Sequence, residues 1–94
     1  MAADIEVRPK GPGSYTVTVR DGRGTSTHTV DVDPGHAERL TGGHLDATEL
    51  VRRSFEFLLE REPKESILAR FDLSVIQRYF PEYETDIRKR CARS

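Results

Sequence analysis

The side chains best suited to acid–base or metal chemistry gather in one stretch of the chain. His28, His36 and His44 alternate there with Asp31, Asp33 and Asp46. Imidazole and carboxylate together can ligate a metal or pass a proton. The spacing argues against both uses. His36 and His44 stand eight residues apart across a glycine break, whereas a helical ligand pair needs i and i+4. "GPG" at 11–13 and "TGG" at 41–43 match neither a phosphate-cradling loop nor a dinucleotide fingerprint, so they are expected to be turns. No nucleophile elbow is present. Cys91, in "KRCARS", has no Cys or His neighbour at ligand spacing and is expected to lie in a frayed tail. The expectation is therefore no catalytic residue, no cofactor and no metal: a protein that is not an enzyme.

Those residues are carried by a short chain. Ninety-four residues make a single domain, 1–94, with a thin core. Charged residues are 33% of the total against 35% hydrophobic, which fits a globular body with a heavily solvated exterior. The net charge of −1 offers no general attraction for nucleic acid or an anionic membrane. The start "MAADIEVRPK" lacks the apolar run of a signal peptide, and no stretch reaches the roughly 20 apolar residues of a membrane span. With one cysteine, a cytoplasmic protein with no membrane partner is expected.

The first third alternates with period two. Strands are expected at about 4–8, 14–20 and 25–33, separated by "KGPG" and "DGRG", which makes an antiparallel meander. Val30 and Val32 share one face of the third strand; Thr27, Thr29, Asp31 and Asp33 share the other. Pro34 then suits the first turn of a short helix, "PGHAERL". The longest helix is expected at about 46–61, with Asp46 as its cap and Glu49 three residues later. Two or more further helices are read in "PKESILARF", with Ile67, Leu68 and Phe71 buried, in "DLSVIQRYF", and in a last segment from Pro81 that ends in the basic tail 88–94. The fold class is α+β: a three-stranded meander followed by three or four helices.

The longest helix is apolar over too wide an arc. At about 100° per residue, Leu50, Val51, Phe55, Phe57, Leu58 and Leu59 span about 200°, more than the stripe of an ordinary surface helix. It must be covered on two sides, by the sheet and by either the C-terminal helices or a second copy of the chain. Phe57 and Leu59 are thus candidate interface residues. Tyr83, in "FPEYE" between two glutamates, is expected to be the most exposed aromatic and joins them. Arg52 and Arg53 are expected on that helix's wet side. The tail residues Arg88, Lys89, Arg90 and Arg93 are candidate contacts for nucleic acid or an acidic partner; they equally complement a helix dipole.

Two resemblances bear on function. "HTVDVDPGHAERL" followed by "TELVRRSFEFLLE" resembles the strand–helix–helix order of ribbon-helix-helix DNA-binding proteins, and the preceding strands are similar in architecture to antitoxin domains of the HicB type. That would imply a DNA-binding regulator or antitoxin. The strand face that would enter the groove carries Asp31 and Asp33, however, where such proteins need basic or amide side chains. "SFEFLLEREPKESILARFDLSVIQRYFPEYE", over roughly residues 48–87, resembles a type of short uncharacterised bacterial protein with no assigned activity, which implies no function. The reading is a small cytoplasmic, non-catalytic interaction or regulatory module, partnered by itself as a homodimer or by another protein. The alternative is the DNA-binding regulator.

Overall fold

The computed structural model describes residues 3–43 and 45–92. Three antiparallel strands open it: β1 (Asp4–Gly11), β2 (Ser14–Asp21) and β3 (Gly24–Asp31). Helices α1 (Pro34–Thr41) and α2 (Ala47–Leu59) follow. After a 3-10 turn at Lys64–Ser66 comes a short strand β4 (Arg70–Asp72), then α3 (Val75–Tyr79) and α4 (Tyr83–Ala92). The sheet order is β1-β2-β3-β4, with β4 parallel to β3. The expected α+β class and the meander are observed; the fourth strand is new.

Period-two patterning sets the sheet's two faces. Ile5, Val17, Val19, His28 and Val30 are buried on one, while Thr16, Thr18, Thr27 and Thr29 lie on the open one. The turn at Gly13 takes φ +69°, and a Cβ there would lie 3.1 Å from the Val32 carbonyl oxygen. Gly13 also accepts a hydrogen bond from the Val32 N–H at 2.7 Å, which ties the end of β3 to the first hairpin. An L-residue would strain both features.

The starts of α1 and α2 are each capped by an aspartate. Asp33 accepts from the His36 N–H at 3.0 Å, with Pro34 in the first turn, and Asp46 accepts from the Glu49 N–H at 2.9 Å. Glu49 reaches forward to Arg53. α1 ends on Gly42 at φ 68°, a left-handed cap.

The wide apolar arc of α2 is filled within the chain. One side packs on β1 and β2, the other on α4 and α1. Phe57 and Tyr83 are both fully buried, with rings 5.3 Å apart and near edge-on, and Phe80 meets the other side of Phe57 at 5.9 Å. Tyr83, expected to be exposed, is a core residue. Its hydroxyl is 2.7 Å from Ser54 Oγ, itself fully buried. Cys91, expected in a frayed tail, is 1% exposed on α4, and burial pushes its thiol pKa up.

"PKESILARF" is not a helix. It forms the 3-10 turn and then β4, because Thr29, Val30 and Asp31 offer a ladder to Arg70, Phe71 and Asp72. Ile67 and Phe71 are buried as expected, but Leu68 is half-exposed.

Candidate functional site

The histidines do not converge. His28 points inward from β3 and is 3% exposed. Its Nδ1 lies 2.8 Å from the Leu68 carbonyl oxygen and its Nε2 lies 2.8 Å from Ser26 Oγ. A carbonyl only accepts, so Nδ1 donates to Leu68, and in the neutral ring Nε2 accepts from the serine hydroxyl. His28 is a tie that holds the approach to β4. His36 is buried on α1, with Nε2 3.6 Å from Glu84. Asp33 and Asp46 serve as helix caps, and Asp31 lies 3.8 Å from Arg70 on the open face. His44 lies outside the described residues. Among those described, no three His, Cys, Asp or Glu side chains are grouped to hold a metal.

The basic residues are divided between structure and solvent. Arg90 binds Glu60 at 2.7 Å and pairs with Asp86. Arg53 hydrogen-bonds both Glu49 and the Arg90 carbonyl, so it bridges α2 to α4 instead of lying in solvent like Arg52. Arg88 and Lys89 are exposed on α4. Residues 88–92 are helical, where a frayed tail was expected, and Arg93 lies outside the described residues.

Of the three expected interface residues, Phe57 and Tyr83 are consumed by the chain's own core and Leu59 is partly buried beside it. The unpartnered apolar surface is elsewhere. Leu68 is 50% exposed and Tyr79 67%, the two large hydrophobic side chains recorded as exposed. They rim a groove of about 350 Å³ between the end of α2, β4 and α3, with Leu58, Ile67, Phe71 and Ile76 in its walls. Glu62 is the one charged lining residue. Desolvation holds its carboxyl above the usual range. No salt bridge to it is formed among the described residues.

The groove adjoins a free sheet edge. The bonds from Thr29 N–H to the Ala69 carbonyl, 2.8 Å, and from Leu73 N–H to the Asp31 carbonyl, 2.9 Å, point Ala69 and Leu73 towards β3. Strand alternation then turns the N–H and C=O of Arg70 and Asp72 outward. β4 is last in the sheet, so no strand meets those groups. The opposite edge, β1, is guarded: Pro9 has no N–H, the register shifts between Pro9 and Gly11, and Asp4, Glu6, Arg8 and Lys10 stud it. β3, the strand likened to a DNA-reading ribbon, pairs with β2 along its whole length and with β4 over Thr29–Asp31.

This site is hidden in the sequence because the expected helix over "PKESILARF" would bury Leu68. A signal was available. "SILARF" holds the β-branched Ile67 and the aromatic Phe71, residue types that favour a strand. No family model, curated protein or solved structure matches the chain. Among the described residues no helix is long and apolar enough to cross a membrane.

Proposed function

We propose that the protein is a small, non-catalytic interaction module that self-associates, and that its working surface is the β4 edge with the adjoining Leu68–Tyr79 groove. The observation that carries this reading is the coincidence of two liabilities at one place. Among the described residues, backbone groups that meet no strand and the two large exposed hydrophobic side chains sit side by side, and monomeric proteins tend to avoid or cover each of these features. A cytoplasmic setting is proposed with it, from the single cysteine, and a bacterial source from the resemblance over residues 48–87.

A DNA-binding regulator is the rival. A β3 already paired on both sides at Thr29–Asp31 and an open face that mixes Arg8, Arg20 and Arg70 with Asp4, Glu6, Asp31 and Asp72 speak against it. The test is sedimentation of the wild type and of Leu68→Asp over a wide concentration range. A dimeric wild type with a monomeric, equally heat-stable variant is expected. A monomeric wild type at every concentration would remove self-association from the reading.

A further inference from the structure

We infer that two copies pair β4 against β4, antiparallel, about a two-fold axis at Phe71, which joins their sheets into one of eight strands. The inference rests on the proposed self-association and specifies its geometry.

Only three residues form this edge, so its possible two-fold registers can be examined one by one. In an antiparallel pair the residues whose backbone groups point outward must face one another. On β4 those are Arg70 and Asp72. An axis at Arg70 would set arginine against arginine, and one at Asp72 would set aspartate against aspartate. Like charges directly opposite destabilise a sheet. An axis midway between neighbouring residues would match an outward residue with an inward one. The axis at Phe71 alone satisfies both requirements. It sets each Arg70 opposite the Asp72 of the other copy, twice. Each of these pairs exchanges two N–H···O=C bonds, so all four outward groups per copy are satisfied.

The side chains agree with that register. Arg70 and Asp72 are exposed on the open face, where the guanidinium, 3.8 Å from Asp31, and the carboxylate, held through one oxygen by Ser74, can each also meet the other copy, while Phe71 is buried on the opposite face. The two Phe71 residues then make a pair without mutual hydrogen bonds, the closer kind, with Cα atoms about 4.5 Å apart. Leu68, Phe71 and Tyr79 line one groove. Joining the sheets edge to edge therefore sets the two apolar grooves side by side across the axis. A three-residue ladder is too short to hold alone, and those rims supply apolar area to it. Such an interface is self-complementary and closes at two copies.

Charge exchange tests the register. Arg70→Asp and Asp72→Arg each place like charges opposite one another twice, so each variant alone is expected to dimerise about tenfold more weakly or worse. Mixed in equal amounts they are expected to recover a heterodimer, because every cross-strand pair is then opposite in sign. Asp72 also accepts from the Ser74 N–H and hydroxyl, so the arginine there loosens the local turn. A probe without substitution accompanies it: amide exchange in the wild type, where the Arg70 and Asp72 N–H groups should gain protection only at concentrations that dimerise. Protection of both amides with heterodimer recovery is the expected result. A wild-type dimer whose Arg70 and Asp72 amides exchange freely would overturn the register while leaving self-association standing. A wild type that stays monomeric would overturn both.

Discussion

Tyr83 decides whether the second face of α2 belongs to the chain's own core, and a double-mutant cycle with Ser54 measures it. Ser54 Oγ donates to the Leu50 carbonyl at 2.8 Å, so its proton is spent and the Tyr83 hydroxyl must be the donor in the 2.7 Å contact between them. Both side chains are 0% exposed, and water cannot replace either partner. Burial also raises the phenol pKa far above the ordinary tyrosine value, so the donor proton stays in place through neutral and mildly basic pH. Tyr83→Phe removes one net hydrogen bond and leaves Ser54 its bond to Leu50, for a cost of about 0.5–1.5 kcal/mol. Ser54→Ala strands a buried phenol hydroxyl, for about 1–3 kcal/mol, partly offset by a few tenths from the better helix former. The double variant loses both partners together and should cost little more than the smaller single change. A coupling of about 1–2 kcal/mol is expected. Urea unfolding of the four proteins reads it, at two protein concentrations far apart. The coupling should be the same at both, because the contact lies within one chain. Additive costs would refute the bond, and a coupling present only at high concentration would move Tyr83 from the core to a subunit interface.

Four further outcomes follow from the same packing. His28→Phe keeps the ring contact with Phe55, whose centroid is 5.4 Å away, but leaves the Leu68 carbonyl without its donor. It should cost about 1–3 kcal/mol in urea unfolding and weaken dimerisation; unchanged values for both would show that His28 does not hold β4. Glu62 has a raised folded-state pKa from desolvation. The fold therefore favours its protonated form, a contribution present below the unfolded value of about 4.3 and lost as pH rises through the folded one. Glu62→Gln should raise the melting temperature at pH 7 and leave it unchanged in strong acid, and equal effects at both pH values would sink that account. Lys64, 3% exposed, binds Asp21 at 3.0 Å and also Glu65, and those bonds lower both carboxyl pKa values. Their contribution is present above the ordinary carboxylate range and lost as pH falls through the depressed folded values, so Asp21→Asn should flatten the acid limb of the stability curve. Cys91 should react with a thiol reagent at least about a hundredfold more slowly in buffer than in urea, since the reactive thiolate is both rare and covered; equal rates would show α4 undocked.

The parts of this fold that were legible in the sequence are those decided by local rules. Alternation in "SYTVTVR" and the turn residues of "KGPG" and "DGRG" place the meander, and the Pro34 and Asp46 signals place two helices. The 200° arc of α2 correctly required two covers, but the choice between α4 and a second chain is a tertiary fact. Tyr83 shows why. Its neighbours Glu82 and Glu84 are hydrophilic, yet Gln77 accepts from the Glu84 N–H and Arg61 holds Glu82, which turns the ring between them towards Phe57. β4 was illegible for a related reason. Its three residues are strand only because β3 has a free ladder on that side, information stored some forty residues upstream. The candidate site inherits that blindness, since Leu68 in a helix would be core and Leu68 ahead of a strand is surface.

The two sheet edges are treated differently, and that asymmetry bears most directly on what the protein does. β1 is eight residues long and would be the more dangerous edge, so it carries a proline, a register shift and alternating charges. β4 carries one base and one acid in an order that repels two of its three in-phase two-fold pairings and favours the third. On the proposed pairing, the same charges would both oppose misregistered contact and select one partner geometry. The groove beside it is lined by one carboxyl, Glu62, by Ser66 and by apolar or aromatic side chains. Nearly every other large hydrophobic side chain is buried by the chain itself, Phe57 even under the Arg61 guanidinium at 3.6 Å from its ring centre. A chain with so thin a core that still leaves Leu68 and Tyr79 half or more in solvent forgoes roughly 1–2 kcal/mol per side chain. On the proposed pairing, a second copy across β4 would recover part of that burial.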